Sequence, residues 1–211
     1  TQVCAPLIQT PEFKVSNEKK PGSVLKIGII GRFQDIKNQL FALQVLSGAD
    51  ELKGVVHVDI IGPRPTRKTD INYYNQCMSY IDQHKLRLPK INVCEFDITK
   101  SFYQNLDMVW VPSQYESFGM VAAEALCMGI PCMAANVGGL QDVMSSHKSY
   151  MYEVDNHQKA QEKLCEMVRN IDQVKQFFIS KKAEMRMRYQ QNNIHAIIRD
   201  QVKGNSDNEK R

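Results

Sequence analysis

VLKIGIIGRFQDIKNQLFALQVLSGA, residues 24–49, decides how the rest of the chain is read. Its opening run, Val24 to Ile30, is short, apolar and β-branched, as expected of a strand buried on both faces of a parallel sheet. The run ends at Gly31. After a polar loop, Leu40, Phe41, Leu43, Val45 and Leu46 recur at helical spacing until the pattern stops near Gly48. Strand, loop and helix make half of a βαβ unit.

The alternation continues. VVHVDII (Val55 to Ile61) reads as a strand ending at Gly62-Pro63, and a helix is expected from about Thr69 to Lys85. INVCEF (Ile91 to Phe96) and DMVWVP (Asp107 to Pro112) read as strands, with a short polar segment containing Phe102 between them. A helix from about Phe118 to Met128, the strand PCMAA, a turn at Asn136 to Gly139 and a last short strand near Tyr150 to Val154 follow; beyond Asn156 the pattern is only helical. Strands separated by helices predict an α/β fold: a Rossmann-like, doubly wound parallel sheet with helices on both faces and extra helices at the C-terminus. The expected division is an extended lead-in at 1–22, one domain at 23–200 and a disordered tail at 201–211.

Composition narrows the function. The chain has 211 residues, 43% hydrophobic and 24% charged, ordinary values that allow a core and argue against disorder. It has no apolar run near the roughly 18 residues of a membrane span, and its first residues lack the regions of a secretion signal, so a cytoplasmic protein is expected. Six cysteines without a close C-x-x-C pair read as buried thiols rather than a disulfide frame or zinc site. A net charge of +4 is too mild for holding nucleic acid by counterion release and suits a small anionic ligand. The densest basic stretch, Lys181, Lys182, Arg186 and Arg188, reads as a solvated helix face, with an anionic membrane surface or a further domain as the other readings.

A doubly wound sheet binds ligands at the carboxyl ends of its strands, near the point where strand order reverses. In the first such loop Gly31, Arg32 and Lys37 stand where a helix begins, and two cations beside helix-start amides suit a diphosphate; a surface cation pair is the alternative. This loop fits neither the dinucleotide glycine pattern nor the P-loop. In the loop after Val111, Ser113 and Ser117 supply hydroxyls, Glu116 precedes a helix, and Gly119 lets backbone approach a ligand. Glu124 follows Glu116 by eight residues, on the helix. Two such carboxylates suit a polyhydroxyl ligand; the alternative makes Glu116 a dipole-favouring first-turn acid and Glu124 a surface residue. His57 reads as a core or sheet-end histidine, and Trp110, Tyr73-Tyr74 and Phe177-Phe178 as packing residues.

Taken in order, G-R-x-x-x-x-K, I-I-G-P and P-S-x-x-E-S-F-G-x-x-x-x-E-A-x-x-x-G-x-P strongly resemble the C-terminal half of family 4 retaining glycosyltransferases of the GT-B fold, over about Val24 to Val143. The resemblance implies that Arg32 and Lys37 grip the diphosphate of a nucleotide sugar, that Glu116 holds donor-sugar hydroxyls and that Glu124 binds the ribose. Gly31 and Gly62 belong to the matched loops, and Ser117, Phe118, Gly119, Met120 and Val121 to the turn facing sugar and phosphates. Ile98, with Asp97, falls in the segment that lines the base. Asp97 replaces a common glycine, and Asp142 stands where G-G-x-x-E has its glutamate.

Transfer would then run with retention from a UDP-sugar, or in second place a GDP-sugar, in cell-surface glycan or glycoconjugate synthesis. Arg32, Lys37 and helix-start amides would stabilise the leaving diphosphate, Glu116 would orient the sugar, and neither a cofactor nor a metal is expected. A GT-B enzyme also needs an N-terminal acceptor domain, for which 211 residues leave no room, so the chain is expected to be a piece of a longer transferase, nearly inactive alone. The whole protein is expected at the inner face of the membrane, through peripheral contact. A non-catalytic partner subunit and a nucleotide-sugar epimerase of related fold are the alternative functions.

Overall fold

In the computed structural model the described residues are 8, 23–95 and 101–189. The lead-in apart from Ile8, Asp97 and Ile98, Cys4, His195 and the tail lie outside them. Six parallel strands form one sheet: β1 (Leu25–Ile30), β2 (Val56–Gly62), β3 (Lys90–Glu95), β4 (Met108–Val111), β5 (Cys132–Ala135) and β6 (Met151–Tyr152), in spatial order β3-β2-β1-β4-β5-β6. Order therefore reverses between β1 and β4, and the loops after these two strands open side by side.

The connections are α1 (Gln39–Gly48), α2 (Lys68–Gln83) and α3 (Met120–Met128), followed by the short α4 (Leu140–Val143) and then α5 (His157–Arg169) and α6 (Ile171–Tyr189). Right-handed crossovers place α1 and α2 on one face of the sheet and α3 on the other. On the first face Tyr73 of α2 accepts the Leu40 N–H at 3.0 Å and Tyr80 meets Ser47 at 2.7 Å. There α5 closes the layer: His157 packs its ring 4.5 Å from that of Phe41, and Gln161 donates to the Gly48 carbonyl. On the second face α6 lies against α3, where Arg186 Nε donates to the Cys127 carbonyl at 3.0 Å.

Ile27, Ile29, Val58, Ile60, Val109, Trp110, Met133 and Ala134 are fully buried, which explains strands without strict alternation. Trp110 Nε1 donates to Tyr152 Oη at 3.0 Å, so its indole is satisfied inside the core as expected. Cys77, Cys127, Cys132 and Cys165 are buried free thiols, while Cys94 is exposed. Desolvation pushes Cys127 up to about 11 and Cys132 up to about 12, so neither is a thiolate at neutral pH.

Two expectations change here. The helix expected from Phe118 starts at Met120, because Gly119 has φ +95°, outside the right-handed helical region. The basic stretch is not merely a solvated face. Besides the Arg186 bond, Arg188 Nη1 donates to Ser145 Oγ at 2.9 Å, Lys181 pairs with Glu184 at 3.1 Å, and the stem of half-buried Lys182 lies against Gly129. Arg186 and Lys182 hold α6 to α3, and Arg188 holds it to the segment after α4, while the Lys181 pair lies within α6.

Candidate functional site

Between β1 and α1 the chain makes a single 3-10 turn, Asp35–Lys37, and passes through Asn38 at φ 58°, ψ 35°. Buried Gln39 donates from Nε2 to the Arg32 carbonyl at 2.7 Å and pulls the loop back on itself. The Lys37 stem consequently lies over Gly31, its Cγ 3.6 Å from where a β-carbon on Gly31 would stand. Lys37 Nζ reaches Glu116 Oε1 at 2.5 Å, and Ser113 Oγ, itself buried, donates to the same oxygen at 2.9 Å. Arg32 is exposed.

The second loop is fastened to the first by backbone as well. Gln114 N–H donates to the Ile36 carbonyl at 2.9 Å, and Asn38 Nδ2 donates to Asp155 Oδ1 at 2.9 Å, with Gln114 Nε2 3.5 Å from both oxygens of Asp155. Asp155, like Asn38, holds a left-handed conformation, at φ 56°. Gly138 and Gly139 lie on the Glu116–Phe118 backbone: a β-carbon would stand 2.3 Å from the Glu116 carbonyl oxygen at the first and 2.4 Å from that of Ser117 at the second. The Gly139 N–H donates to the Glu116 carbonyl at 2.8 Å. The double glycine thus supports the loop that carries Glu116.

At the start of α3 the first amide bonded back into the helix is that of Ala123, to the Gly119 carbonyl at 3.0 Å, which leaves the N–H groups of Met120, Val121 and Ala122 for another acceptor. Among the described residues no side chain caps this end and no acid lies in its first turn. Glu116 is therefore no first-turn acid: it sits before the helix and is held by Lys37. Lys37, Ser113 and Glu116 meet at the switch point, just before the open α3 amides, whereas exposed Arg32 lines a cavity with Arg64, Arg67 and Asp70.

Glu124 departs from the surface reading. It is only 7% exposed and accepts from Tyr103 Oη at 2.9 Å. Tyr103 is fully buried, and burial first, with the Glu124 charge second, holds its phenol well above the ordinary range. The 3-10 turn Ser101–Asn105 that carries Tyr103 had no periodicity to reveal it. Of the other residues singled out, Ser117 and Met120 are exposed, and Val121 is half-buried. Phe118 is half-buried with its ring edge-on to Tyr189 at 5.7 Å. Gly62 packs against the first loop: a β-carbon there would lie 2.2 Å from the Gly31 carbonyl oxygen. Ile98 lies outside the described residues. Among the described residues no group of three or more His, Cys, Asp or Glu side chains is placed to hold a metal ion.

The fold is a doubly wound α/β domain of the Rossmann-like kind, the architecture of one half of a GT-B fold. Residues 11–196 match the family model of the glycosyl transferases group 1, and the chain belongs to that family. Over 140 residues the chain is 29% identical to an uncharacterized 41.2 kDa protein in the cps region of Klebsiella pneumoniae, covering 64% of this chain and 32% of that protein. Over 49 residues it is 49% identical to the D-inositol 3-phosphate glycosyltransferase of Corynebacterium urealyticum, covering 23% of this chain and 12% of that protein. Anabaena HepE, solved in complex with UDP and glucose, superposes with a TM-score of 0.74 at 17% identity, over 86% of this chain and 48% of HepE. The chain thus spans about half the length of HepE and a smaller share of these curated relatives.

Proposed function

We propose that the crevice at the switch point binds the nucleotide-diphosphate sugar of a retaining glycosyltransferase. The observation that carries this reading is the meeting of Lys37, Glu116 and Ser113 beside the open amides of α3, at the switch point. Lys37 and Arg32 are cations for a diphosphate, and Met120 and Val121 offer N–H donors to the same charge. Glu116, once Lys37 turns to phosphate, has carboxylate oxygens for sugar hydroxyls, and Glu124 beside Tyr103 faces the ribose. The binding of UDP and of glucose in the HepE structure supports this reading.

In this mechanism the glycosidic C–O bond breaks as negative charge gathers on the diphosphate and positive charge on the sugar ring. Arg32, the α3 amides and, once it has left Glu116, Lys37 stabilise the departing diphosphate. Glu116 orients the sugar and forms no covalent bond to it. A UDP-sugar is the first-choice donor, the acceptor is held by an N-terminal domain of the full-length protein, and the work is glycan or glycoconjugate synthesis at the cytoplasmic face of a membrane. Among the described residues no helix is long and apolar enough to cross one.

Calorimetric titration with UDP-, GDP- and ADP-sugars tests the site. The wild-type chain is expected to bind one of them at least about thirty-fold more tightly than the Arg32→Ala/Lys37→Ala variant, equivalent to about 2 kcal/mol. Equal binding by both proteins removes the diphosphate assignment.

A further inference from the structure

We propose that a second ligand site adjoins the crevice, on the far side of Arg32, and takes a phosphomonoester carrying an apolar group. Arg32, Arg64 and Arg67 line a cavity of about 380 Å³ beyond the end of β2. Arg64 and Arg67 are exposed, and among the described residues no ion pair engages any of the three guanidiniums. Asp70, the acid lining the same cavity, accepts from Gln34 Nε2 and Thr69 Oγ1, both at 3.2 Å. With Arg32 given to the donor, Arg64 and Arg67 are the two guanidiniums left to meet a phosphomonoester, and Asp70 is already engaged by Gln34 and Thr69.

A neighbouring cavity of about 420 Å³, within the usual range of about 300–1,000 Å³ for small-molecule pockets, shares Phe33, Pro63, Arg64 and Pro65 with the first. Its chemistry is different. Phe33 meets Tyr74 edge-on at 4.9 Å, and Ile71 and Val93, both large aliphatics, are 38% and 39% exposed there. Glu95 lines this cavity and not the arginine one, which places the anionic end of a ligand at the arginines. Apolar surface left open beside cations without ion pairs fits an amphiphile with a phosphate head, whether a soluble ester or the end of a lipid. Charge alone would be met by inorganic phosphate, and Ile71 and Val93 would then have no part.

Calorimetric titration of the 211-residue chain with geranyl phosphate, in saturating UDP, tests this inference separately from the donor reading. Binding is expected to persist with UDP present, to weaken at least about tenfold in Arg64→Gln/Arg67→Gln and in Ile71→Gln, and to exceed inorganic phosphate at least about tenfold. The arginine variant is expected to keep its UDP affinity within about twofold, which shows that it is folded. Displacement of geranyl phosphate by UDP, equal binding by the arginine variant, or equal binding of inorganic phosphate overturns the proposal. If UDP does not bind the wild-type chain, the donor reading falls, and the dependence on Arg64 and Arg67 still decides this one. Vesicles doped with a polyprenyl phosphate separate the sources: retention by these vesicles and weak binding of geranyl phosphate would overturn the soluble-ester form.

Discussion

Gly62 has no room for a β-carbon, because the Gly31 carbonyl oxygen occupies the space 2.2 Å away. That oxygen is backbone and cannot swing aside, so Gly62→Ala is expected to lower stability by about 1–3 kcal/mol in urea denaturation and to displace the Arg32 loop. An unchanged midpoint would mean that the two strand ends part freely. His147 is a second residue with a fixed cost. It is 1% exposed, its ring nitrogens have no hydrogen-bond partner among the described residues, and the rings of Phe177 and Phe178 stand 5.4 and 4.8 Å away. Burial lowers its basicity to about 4, against a partial opposing pull from Glu184 and a small push from Lys181. The unfolded chain therefore takes a proton near pH 6.5 that the folded chain refuses until about pH 4. Stability from this group is present above pH 6.5 and is lost as pH falls towards 4, by up to about 1.4 kcal/mol per unit. Urea melts at pH 7.5 and 5.0 are expected to differ less for His147→Leu than for wild type; equal differences would place the acid sensitivity elsewhere.

Among the elements, α6 is joined to the base of the sheet by a buried ion pair. Lys175 Nζ meets Asp107 Oδ1 at 2.8 Å with both residues under 9% exposed, while Asp107 Oδ2 accepts the Lys26 N–H at 2.7 Å. Lys175→Ala removes one member of a buried ion pair, so a loss of about 3–5 kcal/mol is expected by thermal unfolding, far above that of an exposed helix pair such as Lys159–Glu162. Equal losses for Lys175→Ala and Lys159→Ala would refute it. Neither partner is conspicuous in sequence, since Asp107 lies 68 residues from Lys175. The strands were legible because apolar runs such as Val56–Gly62 are local patterns bounded by glycine and proline. The four-residue α4 is shorter than two helical turns, and no periodicity can build up over it. The site divides in the same way. Arg32, Lys37, Glu116 and Glu124 follow from motif spacing, whereas Tyr103 and Asp155 act through contacts 21 and 41 residues away in the chain and had no local signal.

For the molecule as a whole, a ligand that binds only the folded chain raises its stability by mass action. A donor at a hundred times its dissociation constant contributes about 2.7 kcal/mol, or an increase of about 5–10 °C in melting temperature for a chain of this size. UDP-sugar is expected to give this shift with wild type and to lose most of it with Lys37→Ala; no shift with any donor would count against the crevice. The Lys37–Glu116 pair described above has one further consequence. In the proposed reading each of these residues serves as the other's placeholder before a donor arrives, so admission would be an exchange in which phosphate takes the lysine and sugar takes the glutamate together. A bare nucleotide diphosphate can satisfy only the first half of that exchange and leaves the carboxylate competing to recapture its lysine. In the proposed reaction cycle, transfer of the sugar thus restores the competitor that evicts the spent nucleotide, and turnover is built into the resting site.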